Sequence, residues 1–179
     1  STIAVSLALT GAHSQETEFH VHINAGLFSF AGASANKSAA INSSELLNHH
    51  YTNSPYGSRS GLSLGASINL KRVTKRSFLY GVDLGYEILR SKVDIHGVFG
   101  DVGTAIPAGG RTFLNLHFIN TNPYLGYRSD IGGLPVDFIG GFDVGYCLSA
   151  NEKGKATTTD GMYYEASRDR SHIKVDIRP

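Results

Sequence analysis

Residues 134–150, LPVDFIGGFDVGYCLSA, divide by parity into two chemically different rows. One row is bulky and apolar and consists of Val136, Phe138, Phe142, Val144, Tyr146 and Leu148. The other is small and partly acidic and consists of Asp137, Ile139, Gly141, Asp143, Gly145 and Cys147. Because alternate side chains of a strand point to opposite faces, the segment is predicted to be a strand. Its apolar row would face the core of a soluble barrel or the lipid around an outer-membrane barrel.

Length and composition favour one all-β domain. Of the 179 residues, 21 are glycine and 17% are charged, whereas soluble domains average roughly 7% glycine and about 25% charged residues. Glycine in strands accompanies tight curvature. The net charge of +1 provides no basic field for nucleic acid. The single cysteine, Cys147, excludes an intrachain disulfide and a multi-cysteine zinc site.

The same alternation predicts five further strands. They cover residues 18–30, 61–70, 78–88, 114–127 and 173–177. The connections run long, short, long, short, long, with polar loops at 31–60, 93–110 and 151–170. Outer-membrane barrels combine short periplasmic turns with long outer loops, and soluble up-and-down barrels do not require this asymmetry. We therefore predict an antiparallel up-and-down meander, six strands of an eight-stranded outer-membrane β-barrel.

The fourth predicted strand changes parity along its length. Leu114, Leu116 and Phe118 share one face, but Leu125 and Tyr127 fall on the other. One extra residue within 119–122 would restore a single apolar face. The sequence therefore predicts a β-bulge there.

The chain termini give two further expectations. Residues 1–14 are predicted to be a signal peptide that lacks its start, because 2–10 are apolar and Ala12 and Ser14 are small residues two apart. A first core strand is the alternative. The barrel domain would then span residues 15–179. Bacterial barrels have an even number of strands and at least eight, so two C-terminal strands are expected to be missing, which would leave the first and sixth as unpaired edges.

The spacing of four segments resembles that of the PorT-like outer-membrane β-barrel family of the Bacteroidota. The segments are GLSLGASINL, FLYGVDLGYEILRSKVDI, NPYLGYR and VDFIGGFDVGYCLSANEKG, and the resemblance covers residues 17–178. Where that family usually has a compact apolar Ile-Pro segment, this chain has TNPYL at 121–125. The resemblance implies a small barrel in a bacterial outer membrane and, through the family's namesake, a link to protein secretion. It implies no catalytic residue.

Two sets of side chains follow from the predicted faces. The predicted lumen residues are Asp83, Glu87, Asp137, Asp143, His172 and Lys174. They are expected to form a polar network that fills a narrow barrel, with a cation site or proton relay as the alternative. The predicted lipid-facing residues are Leu62, Leu64, Val82, Leu84, Phe142 and Val144. Tyr80, Tyr127 and Tyr146 are expected near the ends of the apolar band, where aromatic residues gather.

No catalytic, metal or cofactor site is predicted. His20 and His22 share one face and His49 and His50 are adjacent, but a zinc site needs three or four ligands. The sequence therefore predicts a non-enzymatic outer-membrane protein that contacts lipid and presents its long loops to an unknown protein partner. The alternatives are a soluble lipocalin-like barrel that binds a small apolar ligand and an outer-membrane lipid-modifying enzyme.

Overall fold

The chain forms one large sheet of strands. The computed structural model describes residues 3–9, 16–44, 49–100, 105–170 and 175–178. The strands are β1 (Ile3–Leu9), β2 (Glu16–Phe28), β3 (Ser38–Ser44), β4 (His49–Thr52), β5 (Arg59–Val73), β6 (Phe78–Phe99), β7 (Ala105–Ile131), β8 (Leu134–Gly141), β9 (Asp143–Thr158), β10 (Tyr163–Asp169) and β11 (Val175–Arg178). Their order in the sheet is β1-β2-β5-β6-β7-β9-β10, with antiparallel neighbours throughout. The predicted all-β antiparallel meander is confirmed.

The strand predicted at 134–150 corresponds to β8 and β9, which lie end to end along one edge of β7. Tyr124 pairs with Gly141 and Thr121 pairs with Val144. These two pairs have the same register, so only a short interruption at Phe142 separates β8 from β9. On the far edge of β9, β10 and β11 also pair one after the other, in registers that differ by one residue.

Strands lie in the described part of each predicted segment, the sixth from residue 175, and β1 precedes them. It pairs with β2 from Ile3↔Ala25 to Leu9↔Phe19, as the alternative of a first core strand requires. The first predicted strand, β2, pairs with both β1 and β5, so the prediction that it is an unpaired edge is wrong. Cleavage after residue 14 stays a prediction. Among the described strands, no ladder joins β1 to β10 or β11.

The three predicted long loops are wrong in large part, because the structure places strands in them. The region 31–60 contains β3, β4 and the start of β5, and β3 pairs in parallel with β6. The region 93–110 contains the end of β6 and the start of β7, and 151–170 contains the end of β9 and all of β10. The strands therefore continue well beyond the part of the sheet that the sequence predicted. We call this part, formed by β3, β4, β10 and the adjoining ends of β6, β7 and β9, the extension.

The bulge predicted within 119–122 is also wrong. The pairing of β7 with β6 is unbroken from Leu84↔Thr121 to Val82↔Pro123. The register shift lies instead between β7 and β9, where Leu148 is the unpaired residue. The apolar side chains of β7 change faces because the interior is apolar near the extension and charged near the short turns. Leu116 and Phe118 are buried inside, whereas Leu125 and Tyr127 are exposed on the outside.

Apolar side chains fill the interior at the level of the extension. One cluster consists of Ala39, Ile41, Val93, Ile95, Val98, Ala156 and Ala166. The next consists of Leu114, Leu116, Phe118, Cys147 and Ala150, with Phe28, Phe30, Tyr56 and Leu89 packed against it. A smaller cluster near the short turns consists of Val73, Leu79 and Tyr124. The polar interior therefore lies between packed apolar layers.

Tight turns connect the strands at the end opposite the extension. Gly132 and Gly133 have φ values of 65° and 82°, and the flanking Ile131 and Leu134 pair with each other. Positive φ at both central residues is the requirement of a two-residue type I′ hairpin, which glycine meets without strain. The turn thereby fixes the register of β8 against β7.

Gly81 provides a first test of the interior packing. A Cβ at this position would lie 2.3 Å from the Tyr124 hydroxyl oxygen and 2.6 Å from the Leu70 carbonyl oxygen. Gly81→Ala is therefore expected to destabilise the fold by about 1–3 kcal/mol through overpacking. Gly109→Ala is the matched control, because no atom lies within 4 Å of the added Cβ. Urea unfolding of the two variants in micelles would measure the difference, and equal midpoints would contradict the packing.

Candidate functional site: the charged interior

Four charged side chains meet inside the sheet near the short turns. Lys71 Nζ lies 2.7 Å from both Glu18 Oε2 and Asp137 Oδ2. Arg128 Nη2 lies 2.8 Å from Glu18 Oε1, and Arg128 Nε lies 2.6 Å from Asp137 Oδ1. Two cations thus bridge two carboxylates. We call this set the charge cluster.

The charge cluster shows how strongly the sheet is curved. Glu18 lies on β2 and Asp137 on β8, with β5, β6 and β7 between them. In a flat sheet these strands would be about 19 Å apart, at roughly 4.8 Å per strand. The shared contacts of Glu18 and Asp137 with Arg128 therefore require the sheet to curl round, as the wall of a barrel does.

A polar cavity of about 390 Å³ adjoins the charge cluster. Its lining residues are His20, His22, Asn69, Lys71, Asp83, Asn122, Tyr124, Asp137 and Ile139. The Tyr124 hydroxyl donates to Asn69 Oδ1 at 3.0 Å, and His20 Nε2 lies 3.2 Å from Glu18 Oε2. The other ring nitrogen of His20 is buried without a hydrogen-bond partner.

Further polar space lies between this cavity and the extension. A cavity of about 190 Å³ is lined by Asn24, Ala66, Ser67, Asp83, Gly85, Tyr86, Glu87, Asn120, Asn122 and Asp143. Beyond it, the packed layer around Leu116 and Phe118 occupies the interior. The described interior therefore lacks the continuous polar lining of an aqueous pore.

The predicted lumen residues divide into three groups. Asp137 belongs to the charge cluster. Asp83, Glu87 and Asp143 line the polar cavities and are not part of the cluster. His172 and Lys174 lie outside the described residues.

The predicted lipid-facing residues lie on the outer face. Leu62, Leu64, Leu84 and Phe142 are exposed, and Val82 and Val144 are half-buried. The rings of Tyr80, Tyr127 and Tyr146 are exposed as well. None of these three rings points into the interior. Rings inside the barrel would have spoken against lipid around it.

The sequence analysis missed Glu18, Lys71 and Arg128. Glu18 has the parity of His20 and His22 at the start of β2, and that parity was the available signal. Lys71 and Arg128 each lie one residue beyond the predicted end of their strand, yet β5 and β7 continue through both. All three residues lie at or just beyond the ends of predicted strands, where the alternation is hardest to interpret.

The His20–His22 pair and His50 lie in different parts of the structure. His20 and His22 stack with ring centroids 6.1 Å apart, whereas His50 on β4 packs edge-on against Tyr164. Within the described part of the chain, no three His, Cys, Asp or Glu side chains are grouped as metal ligands would be. None of the described residues form a helix long and apolar enough to cross a membrane.

Loss of Arg128 tests the charge cluster directly. Arg128→Leu leaves Glu18 and Asp137 facing each other with only Lys71 between them. Since hydrogen bonds to charged groups contribute about 1.5–3 kcal/mol each, we expect destabilisation of that order. Arg76→Leu in the exposed β5–β6 turn removes the same charge and should have little effect. Equal urea midpoints for the two variants would show that the cluster adds nothing to stability.

Comparison with known proteins gives no relative: no protein-family model, curated protein or solved structure matches this chain.

Proposed function

We propose that this chain is a non-enzymatic β-barrel protein of a bacterial outer membrane, related to the PorT-like family. The apolar outer face contacts lipid, and the extension projects from the cell surface. The observation that carries the proposal is an inverted distribution of polarity. Large apolar side chains cover the outside of the sheet, while carboxylates, lysine and arginine occupy its interior near the short turns.

The outer apolar side chains form a continuous belt across neighbouring strands. On β2 and β5 they are Phe19, Val21, Ile23, Leu27, Leu62, Leu64, Ile68 and Leu70. On β6, β7, β8 and β9 they include Phe78, Tyr80, Leu84, Tyr86, Ile119, Leu125, Tyr127, Phe138, Tyr146 and Leu148. Soluble monomers rarely expose contiguous apolar patches above a few hundred Å². Lipid is the environment that such a belt matches.

The height of the belt fits a bilayer. On β5 it runs from Leu62 to Leu70, which is about 26 Å along the strand at roughly 3.3 Å per residue. Membrane-spanning strands of tilted barrels have about 9–11 residues. Tyr80 and Tyr127 lie near one edge of the belt and Tyr146 nearer the other, as expected for side chains at the two interfaces.

The soluble lipocalin-like alternative has less support. A barrel that binds an apolar ligand needs an apolar internal cavity. Here the cavity next to the charge cluster is lined by histidine, aspartate, asparagine and lysine, and the apolar layers nearer the extension are packed. The apolar surface is on the wrong side of the sheet for that function.

Cell fractionation combined with lysine labelling tests both the location and the orientation. We expect the full chain in the outer-membrane fraction of a Gram-negative host. In intact cells, a membrane-impermeant acylating reagent should modify Lys153 and Lys155 in the extension and leave Lys75 in the β5–β6 turn unmodified. Recovery in the soluble fraction would overturn the proposal, and the reverse labelling pattern would overturn the orientation.

A further inference from the structure

Basic side chains follow the apolar belt on the outer face of the sheet, at the end that carries the extension. They are Arg59, Arg90, Lys92, Arg111, Lys153 and Lys155, which we call the basic face. Their strands are adjacent, and their registers align them. Arg59 pairs with Lys92, Lys92 with Phe113, and Phe113 with Lys153. One step farther from the belt, Arg111 pairs with Lys155.

The basic face follows the belt on the same strands, after a short polar interval that includes Asn115 and Asn151. On β6 the outward positions after Tyr86 include Arg90 and Lys92. On β9 the outward positions after Leu148 include Lys153 and Lys155. From Tyr86 to Arg90 is about 13 Å along the strand at roughly 3.3 Å per residue. Lysine and arginine side chains are long enough to extend along the strand toward the boundary of the belt.

Positive charge dominates this surface. Three carboxylates share it with the six cations, namely Asp94, Glu165 and Asp169. Asp94 pairs with Arg59 at 2.8 Å and lies 3.5 Å from Arg111. The contacts of Lys155 with the Tyr163 hydroxyl and Glu165 raise the pKa of its ammonium group, which stays charged.

A surface depression of about 700 Å³ lies within the basic face. Its charged lining residues are Asp94, Arg111, Lys153, Lys155 and Glu165. Phe113 also lines it, and the Arg90 guanidinium carbon lies 5.9 Å from the centroid of the Phe113 ring. An aromatic ring beside ammonium and guanidinium groups offers contacts to both parts of an amphiphile, the phosphate and the adjoining hydrocarbon.

We propose that the basic face binds the phosphate groups of anionic lipids in the leaflet next to the extension. The inference rests on the proposed membrane location and adds a ligand class to it. Lipid is the occupant because the basic face follows the apolar belt on the same strands, with lysine and arginine side chains long enough to extend toward it. A lipid whose chains contact Tyr146 and Leu148 would therefore have its phosphate on the side of Lys153. The basic face would hold such lipids around the barrel and fix how deeply it sits in the bilayer.

Quenching by brominated lipids tests this proposal locally. The chain has no tryptophan, so Tyr146→Trp introduces a single reporter in the belt near the basic face. Insertion is measured first, by flotation with vesicles of phosphatidylcholine alone. Quenching is then compared between equimolar vesicles in which either the phosphatidic acid or the phosphatidylcholine is brominated. One cation near an anionic membrane surface contributes about a fivefold preference, so phosphatidic acid should be favoured about fivefold or more.

Two double variants separate the basic face from charge in general. Lys153→Gln/Lys155→Gln should bring the two quenching values close to each other. Lys75→Gln/Arg76→Gln removes the same charge from the opposite end of the barrel and should leave the preference at this reporter unchanged. A high concentration of sodium chloride should weaken the preference through screening.

The outcomes distinguish this inference from the membrane proposal. Failure to float with phosphatidylcholine vesicles would overturn the membrane proposal itself. Insertion with equal quenching by both lipids, or equal losses in the two double variants, would overturn the lipid inference alone. Inorganic phosphate should displace the lipid no better than sodium chloride of the same ionic strength. Stronger displacement would overturn the inference in favour of a site for free phosphate.

Discussion

Replacing Glu152 with leucine is expected to destabilise the folded chain by about 3–5 kcal/mol, the cost of removing one partner from a buried ion pair. Glu152 is fully buried on the inner face of β9. Its Oε2 lies 2.8 Å from Arg170 Nη2, and its Oε1 accepts the backbone N–H of Thr52 at 2.5 Å. Arg170 also donates to the Thr52 carbonyl oxygen at 2.6 Å. Without the carboxylate, a cation and a backbone donor lose their partner in the interior.

The location of Glu152 predicts which part of the fold fails first. Thr52 belongs to β4, which pairs with β3 and packs against β10. Glu152 therefore attaches the β4 side of the β3–β4 hairpin to β9, while the ladder with β6 holds the β3 side. We expect Glu152→Leu to increase protease cleavage within this hairpin before the sheet unfolds, and urea unfolding in micelles would give the total destabilisation.

A second substitution separates the lost ion pair from lost packing. In Glu152→Leu/Arg170→Leu no charge is left unpaired, so most of the stability should return. Glu165→Leu, on the exposed face of β10, should change stability by no more than about 0.5 kcal/mol. If the double variant were as unstable as Glu152→Leu, the uncompensated charge of Arg170 would not be the cause.

The outer face could be predicted from the sequence because its environment is the same along the whole belt. Leu62, Leu84 and Phe142 are exposed on the face that parity assigned to them. The inner face was less predictable, because it changes from charged at Lys71 to apolar at Phe118. Parity gives the face of a side chain and carries no information about what fills the space in front of it. That change along β7 is why the sequence suggested a bulge.

The extension was mistaken for loops because its strands are built from small and polar residues. β3 has the sequence SAAINSS, yet Ala39, Ala40 and Ile41 are buried. Thr52 and Thr112 are also fully buried, and the Thr52 hydroxyl donates a hydrogen bond to the Thr112 hydroxyl at 3.0 Å. Side chains of this kind are typical of loops when only composition is considered. Tertiary pairing with β6 and β9 decides that they form strands here.

The charge cluster depends on contacts that are remote in sequence. Glu18 and Arg128 meet only because the sheet curls, and curvature is not encoded in the alternation of any one strand. The inward parity of Glu18 and Asp137 could be predicted, but their common partners could not. If it had been known that two cations and two carboxylates share one interior, fewer pairings of these four side chains would have remained, since buried charges are paired.

Leu84→Arg is expected to destabilise the chain folded in phosphatidylcholine vesicles by about 2–4 kcal/mol, because arginine on the lipid face near the bilayer midplane is expensive to insert. Leu84 is exposed on β6, between the outward rings of Tyr80 and Tyr86. Its sequence neighbour Asp83 lines the interior cavities. Asp83→Asn should therefore have a much smaller effect, although the two residues are adjacent in the chain.

The expected effect of Leu84→Arg differs between a position that faces water and one that faces lipid. At an exposed position of a soluble protein, Leu84→Arg would change stability by no more than about 0.5 kcal/mol. Ser167→Arg is the matched control, because it places the same side chain on the exposed face of the extension, beyond the belt. Only a membrane-embedded belt makes Leu84→Arg severe and Ser167→Arg harmless. Equal effects of these two substitutions in vesicles would mean that Leu84 does not face lipid, and the membrane proposal would lose its main support.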